Sequence, residues 1–292
     1  MVLICSIKAT TALSLIKMTL VFVYGTLLQG LERHTALGDS VFVGPAIMGG
    51  AKLYDLGTYP GVVQGEGEVT GELYRVNQAT LAKLDAIEGY KSEAPQASLY
   101  IRSQHQVRLF ATGESVQAQV YIFNGSLQEA KPIAVEDYRR YRVESSYQHQ
   151  WMLAYGSNLS TQRLEARVGA CPRFQVANLA GYELVFNKRG DAHNVYANIR
   201  YVGEGQCPGV AYELTPRQLT ALDPYERGYV RIAVPVQSIT GETLLVQLYL
   251  THPDDLCPES APQPEYEHHI AIGYQEHNLA LAPLTSALAR AA

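Results

Sequence analysis

Short β-rich apolar runs at 20–23 and 152–154 each stop at a Tyr-Gly pair, Tyr24-Gly25 and Tyr155-Gly156. The segments that follow, 27–37 and 159–168, carry apolar residues at helical spacing, so each half opens as strand, tight turn and helix. Alternation then predicts strands at 41–46 and 51–56 in the first half, and at 174–179 and 182–187 in the second. Gly-Glu-Gly boxes at Gly65 and Gly203 are expected to be turns into strands 70–76 and 210–214. Short helices are expected at 78–84 and 216–222; Pro216 suits a first helical turn, where no amide partner is needed. Strands 116–123 and 244–250 close the two halves. A helix over 133–141 is expected to dock on the first half. Another, over 266–277, follows the proline-rich loop 253–264 and should pack on the second.

The two halves share more than pattern. Tyr24, Gly25, Gly50 and Leu53 match Tyr155, Gly156, Gly181 and Leu184 at one constant offset. A slightly larger offset carries Gly65, Glu66, Gly67, Gly71, Tyr74, Leu81, Leu84, Asp85 and Glu88 onto Gly203, Glu204, Gly205, Gly209, Tyr212, Leu219, Leu222, Asp223 and Glu226. One small insertion reconciles the offsets, and so many ordered identities mark a tandem duplication. Many strands with few helices predict two α+β domains, each a small curved or barrel-like mixed sheet. The expected divisions are an extension at 1–18, expected to be disordered, a domain at 19–125, a linker with a helix at 126–150, a domain at 151–280 and a tail at 281–292.

Bulk properties narrow the function. A chain of 292 residues accommodates two domains of about 130 residues, a common domain size. A net charge of −5 argues against nucleic-acid binding, which needs clustered Lys and Arg. The one basic cluster, Arg139-Arg140-Tyr141-Arg142, reads as a solvated linker or helix face. Cys5, Cys171, Cys207 and Cys257 lie far apart, which fits neither a zinc knuckle nor a disulfide framework and suggests the reducing cytoplasm. His268-His269 is a poor metal pair, because adjacent side chains diverge on a helix. The apolar run 12–16 is too short to span a bilayer, and it lacks the flanks of a signal peptide; Met18 is a plausible start. No membrane partner is expected, and the oligomeric state is not indicated.

Tyr155-Gly156-Ser157-Asn158, Leu222-Asp223-Pro224-Tyr225-Glu226 and Tyr229-Val230-Arg231 together resemble the γ-glutamylcyclotransferase superfamily. The first repeat, with Tyr24-Gly25-Thr26-Leu27, its Gly-Glu-Gly box and Tyr100-Ile101-Arg102, is more similar to the γ-glutamylamine cyclotransferase-like branch. The second, with Pro264 opening a Tyr-x-x-x-Ile helix, is more similar to γ-glutamylcyclotransferase proper. The resemblance covers roughly residues 19–125 and 151–280. It implies a barrel-like domain with a cavity at one end, and a reaction in which the free amine of a γ-glutamyl group attacks its own side-chain carbonyl. The products are 5-oxoproline and a released amine or amino acid.

That chemistry needs a group to take a proton from the ammonium and return one to the leaving nitrogen. A carboxylate raised toward neutrality by an apolar pocket does both. By resemblance Glu88 and Glu226 hold this role. Backbone N–H groups of the turns, Tyr24, Gly25, Thr26 and Leu27 in one repeat and Tyr155, Gly156, Ser157, Asn158 and Leu159 in the other, suit an oxyanion or a substrate carboxylate. Arg102 and Arg231 either pair with a buried carboxylate or bind substrate. Asp85 and Asp223 read as residues that end a helix or hold a turn. The reaction calls for no metal and no organic cofactor, only a small γ-glutamyl substrate. Asn158 gives the second pocket a side-chain amide that Thr26-Leu27 lacks, so if one site alone works, Glu226 is the expected one. Two further readings stand beside this: a hydrolase that removes γ-glutamyl protecting groups, and a module that binds a γ-glutamyl or amino-acid ligand without turnover.

Overall fold

The computed structural model describes residues 18–171 and 173–292. The expected N-terminal extension therefore lies outside the described residues, Met18 excepted. In the first half, β1 (Thr19–Val23), β2 (Val41–Asp55), β3 (Pro60–Val76), β4 (Tyr100–Leu109) and β5 (Ser115–Phe123) run in the order β3-β1-β5-β4-β2. Strand β2 pairs back onto β3, closing a five-stranded barrel, and the two-residue β6 (Lys131–Pro132) extends β2. In the second half, β7 (Gln150–Ala154), β8 (Phe174–Arg189), β9 (Val195–Leu214), β10 (Tyr229–Ser238) and β11 (Thr243–Thr251) close as β10-β11-β7-β9-β8. The closing ladders are short: β2 meets β4 at Ala46 and Ile47, and β8 meets β10 at Ala177 and Asn178. In each barrel the strand that ends at Tyr-Gly lies parallel to the closing strand, Val21 beside Gln119 and Val246 beside Trp151.

The pairs of strands expected on either side of Gly50 and Gly181 are single bulged strands. Both glycines have left-handed backbone, with φ of 70° and 83°. The ladder slips between Gly49 and Ala51 and between Ala180 and Tyr182. The partner strands supply the matching irregularity with residues 65–67 and 202–205. The Gly-Glu-Gly boxes are thus not turns. They bend a long hairpin whose reversals come at 56–59 and 190–194, where Leu56 N–H donates to Tyr59 O at 3.1 Å and Gly190 N–H to Asn194 O at 2.8 Å. A bulge of this kind increases curvature, which a small barrel requires.

Helices α1 (Gln78–Ile87), α2 (Tyr138–Ser146), α3 (Thr161–Val168), α4 (Pro216–Leu222), α5 (Pro264–Glu276) and α6 (Ala282–Ala291) complete the chain. The helix expected over 133–141 begins later because the Asp137 carboxylate caps it, accepting from Arg140 N–H at 2.6 Å; Ile133 N–H instead donates to Leu53 O at 2.9 Å in extended chain. The expected tail at 281–292 is α6, whose Leu284, Ala287 and Ala291 bury one face at helical spacing. The helix expected at 27–37 is only a 3₁₀ turn, His34–Leu37, whereas its counterpart is the full α3. Among the described residues no helix is long and apolar enough to cross a membrane.

The two barrels pack on each other. Ile47 and Phe110 of the first join the core of the second, and the Phe42 ring meets Tyr201 edge-on at 4.7 Å. The basic cluster is no solvated face. Arg139 is 2% exposed, its guanidinium 2.5 Å from Glu72 Oε1 and 3.0 Å from Gln29 O, while Arg140 pairs with Glu144 and Arg142 with Glu32. Glu72 is itself 2% exposed, so its charge is met by protein groups. Its second oxygen accepts from Gln29 N–H and Tyr74 OH, each at 2.9 Å.

Candidate active site

Each barrel encloses a cavity framed by equivalent residues. Tyr24 and Tyr155 end the first strand of their barrels and donate their hydroxyls across it, to Tyr121 O at 2.5 Å and to Tyr249 O. Tyr100 and Tyr229 donate to Pro60 O and Ala197 O, both at 2.7 Å. Burial holds the Tyr24 and Tyr155 phenols well above their usual range, so they act as donors and not as bases. At Gly25 a Cβ would stand 2.8 Å from Pro60 Cγ, and this close approach requires glycine at the turn.

Glu88 follows directly on α1 and Glu226 follows the 3₁₀ turn after α4, so a helix end delivers each carboxylate to its cavity. Asp85 and Asp223, one turn earlier, face a different neighbour. Asp85 accepts from Tyr121 OH at 2.8 Å and pairs with Arg102 at 2.7 Å. Asp223 accepts from Tyr249 OH at 2.8 Å and pairs with Arg231 at 3.0 Å. The same clip therefore fastens helix to strands in both barrels. Arg102 and Arg231 are outside the residues that line the two cavities; Arg231 also reaches Glu144 on α2 at 3.0 Å.

The two cavities differ in what fills them. The first measures about 240 Å³, lined by the Tyr24, Gly25, Thr26 and Leu27 turn, by Glu88 and Arg33, and by an aromatic and apolar wall that includes Tyr59 and Leu99. Among the described residues nothing hydrogen-bonds or ion-pairs with the Glu88 carboxylate, and the N–H groups of Thr26 and Leu27 have no protein acceptor. The second measures about 30 Å³, room for only one or two waters. Tyr266 from α5 enters it, with its hydroxyl accepting from Ala197 N–H at 3.2 Å. Glu226 is tied down: Asn158 Nδ2 donates to its Oε1 at 2.8 Å, and Arg167 from α3 lies 3.3 Å from the same oxygen while donating to Asn158 Oδ1 at 2.7 Å. The first barrel has neither an α3 nor an α5 at these places. The repeat could not reveal Arg167, Tyr266 or Arg33, since none has a counterpart in the other half. Alignment of the closing strands would have found Tyr121 and Tyr249.

Burial pushes the Glu88 carboxyl up to about 7, against an opposing pull from Arg33. Burial also raises Glu226, where Asn158 and Arg167 pull it back. For Glu88 the shift has a consequence in stability. The folded protein keeps the proton between the ordinary value of 4.5 and about 7 while the unfolded chain releases it, so the contribution is full below the first and lost above the second. Glu88→Gln, which cannot ionise, should be as stable as wild type near about pH 4 and more stable near about pH 8 by roughly 1–3 kcal/mol, allowing for partial screening. Urea unfolding at the two pH values measures this.

Among the described residues no group of three or more His, Cys, Asp or Glu stands close enough to hold a metal ion. Cys171, Cys207 and Cys257 are free thiols.

Comparison with known proteins places this geometry in a family. A family model described as Gamma-glutamyl cyclotransferase, AIG2-like matches twice, over residues 21–140 and 152–270. A putative γ-glutamylcyclotransferase of Vibrio cholerae is 50% identical over 70 residues, 24% of this chain and 61% of that protein's length. The γ-glutamylcyclotransferase of Homo sapiens is 31% identical over 137 residues, 44% of this chain and 71% of that protein. The crystal structure of YkqA from Bacillus subtilis is similar in fold throughout, with a TM-score of 0.76 at 23% identity, covering 94% of this chain and 98% of that one. Matched in both of its barrels, the chain belongs to the γ-glutamyl cyclotransferase, AIG2-like family and carries the family's domain in tandem.

Proposed function

We propose that the first barrel is the working cyclotransferase, converting a γ-glutamyl amine or amino acid to 5-oxoproline and free amine, with Glu88 as base and then acid. The observation that carries this reading is the contrast between an unpaired Glu88 in an amino-acid-sized cavity and a Glu226 held by Arg167 and Asn158 in a cavity of water size. The γ-glutamyl group enters with its ammonium beside Glu88, which takes one proton. The freed amine attacks the side-chain carbonyl carbon and closes the five-membered ring. Negative charge gathers on the carbonyl oxygen, where the Thr26 and Leu27 N–H groups supply donors; one such donor contributes about 3 kcal/mol to lowering a barrier. Protonated Glu88 then gives its proton to the leaving nitrogen and the C–N bond breaks; Glu88, ionised again, takes the second proton from the ring nitrogen and passes it to the departing amine, which leaves as an ammonium. The attack is intramolecular, so the cavity mainly holds a ring-closing conformer.

The second barrel is read differently. Its small cavity favours neither turnover nor γ-glutamyl binding in this half, which we read as a scaffold tied through Arg231 to Glu144 on the connecting helix α2. The free thiols support a reducing, cytoplasmic setting.

A pH profile tests the proposal. With γ-glutamyl amino acids as substrate, kcat/KM for 5-oxoproline release should rise as pH climbs through about 7, where Glu88 loses its proton. A profile whose acid limb lies near the ordinary carboxylate value of 4.5, or release of free glutamate in place of 5-oxoproline, contradicts it.

A further inference from the structure

The mouth of the first cavity carries a cation that the protein itself does not use. Arg33 lines the cavity with Glu88, is exposed, and among the described residues has no side-chain hydrogen bond or ion pair. Its backbone is held firmly: Arg33 N–H donates to Thr26 O at 2.9 Å, and its own carbonyl accepts from Ala36 N–H at 2.9 Å. The turn that offers amides to the reacting end of the substrate thus also sets where this cation stands. In the second barrel Arg167, from an unrelated position on α3, closes onto Glu226; in the first, Arg33 stands off and influences Glu88 only through space. The same cavity has an apolar wall, in which Leu99 is 43% exposed and Ile87 and Tyr59 also take part.

We infer that Arg33 reads a carboxylate on the leaving group, so that the first barrel takes γ-glutamyl amino acids with apolar side chains in preference to γ-glutamyl amines that lack a carboxylate. This rests on the cyclotransferase reading of the same site. The glutamyl head must place its amine at Glu88 and its carbonyl near the Thr26 and Leu27 amides. The leaving portion then points to the mouth, where an exposed guanidinium and an apolar wall match the two substituents of an aliphatic amino acid. Arginine suits the task because its planar donor fork fits a carboxylate bidentately and stays charged at every working pH.

A matched pair of substrates isolates the effect. γ-Glutamyl-leucine and γ-glutamyl-isopentylamine differ only in the leaving group's carboxylate. Wild type should turn over the first with a kcat/KM about tenfold higher, a modest factor because Arg33 is solvated. Arg33→Met should bring the ratio close to one, and Arg33→Lys should restore part of it. Because both substrates use the same Glu88, any change in its ionisation cancels in the ratio. Repeating the measurement in a Glu226→Gln background confines it to the first barrel. A wild-type ratio near one, or a ratio that Arg33→Met leaves unchanged, overturns the inference while the cyclotransferase reading stands. No 5-oxoproline from either substrate overturns both.

Discussion

Glu88→Gln should lower 5-oxoproline formation by about a hundred- to ten-thousandfold, the usual worth of a positioned general acid–base group, while Glu226→Gln changes it by less than about twofold. The substitution is nearly isosteric and leaves the barrel, the Tyr24 hydrogen bond and the turn amides in place. What it removes is the carboxylate that accepts the ammonium proton in the proposed reaction, one whose burial has brought it to about 7. The residual rate should stay above that of free substrate, because ring-closing orientation and the turn amides survive. Glu226 differs in kind. Its Oε1 already holds Asn158 and Arg167, and Tyr266 lines a cavity of only about 30 Å³. Activity lost with Glu226→Gln and kept with Glu88→Gln would reverse the assignment of the two barrels.

Arg139→Leu should destabilise the protein by about 3–5 kcal/mol, read as a lower urea midpoint, because it strands a buried carboxylate. Glu72 and Arg139 are each 2% exposed. Without the guanidinium, the buried Glu72 carboxylate is left with no cation, which is costly. The pair also fastens α2, the connection between the barrels, to β3 of the first. Glu72→Leu combined with Arg139→Leu should recover part of the loss, since no unpaired charge remains, but not all of it. Tyr74 OH and Gln29 N–H would still lack their acceptor. A cost below about 1 kcal/mol for Arg139→Leu would mean that Glu72 finds another partner or solvent.

How much of this was legible in the sequence follows from what fixes each feature. The tandem repeat, the barrel-like α+β fold and the Tyr-Gly and Asp-x-x-Glu positions stand out because backbone geometry constrains them alike in both halves. Gly50 and Gly181 were visible as repeated glycines, yet nothing local distinguishes a bulge from a turn. The long hairpins were therefore read as separate strands, and the Gly-Glu-Gly boxes as reversals. Strands β4 and β10 went unread because Tyr100–Leu109 is largely polar and Tyr229–Ser238 contains Pro235. The difference between the two pockets was the hardest to see. Asn158 was legible as a side-chain amide that the first pocket lacks; that this amide hydrogen-bonds Glu226 itself was not. That outcome depends on α3 carrying Arg167 over the cavity and on α5 inserting Tyr266. These are tertiary placements that the pattern near Glu226 does not encode.

The central claim is that the first barrel holds the substrate and the second is closed to it. A crystal structure with the product, 5-oxoproline, tests this most directly. The account predicts density in the first cavity, with the ring amide beside Glu88 and an oxygen within hydrogen-bonding reach of the Thr26 and Leu27 N–H groups, and an unaltered Arg167–Glu226 pair in the second. Product seated beside Glu226, with Arg167 swung away and the first cavity empty, would contradict it.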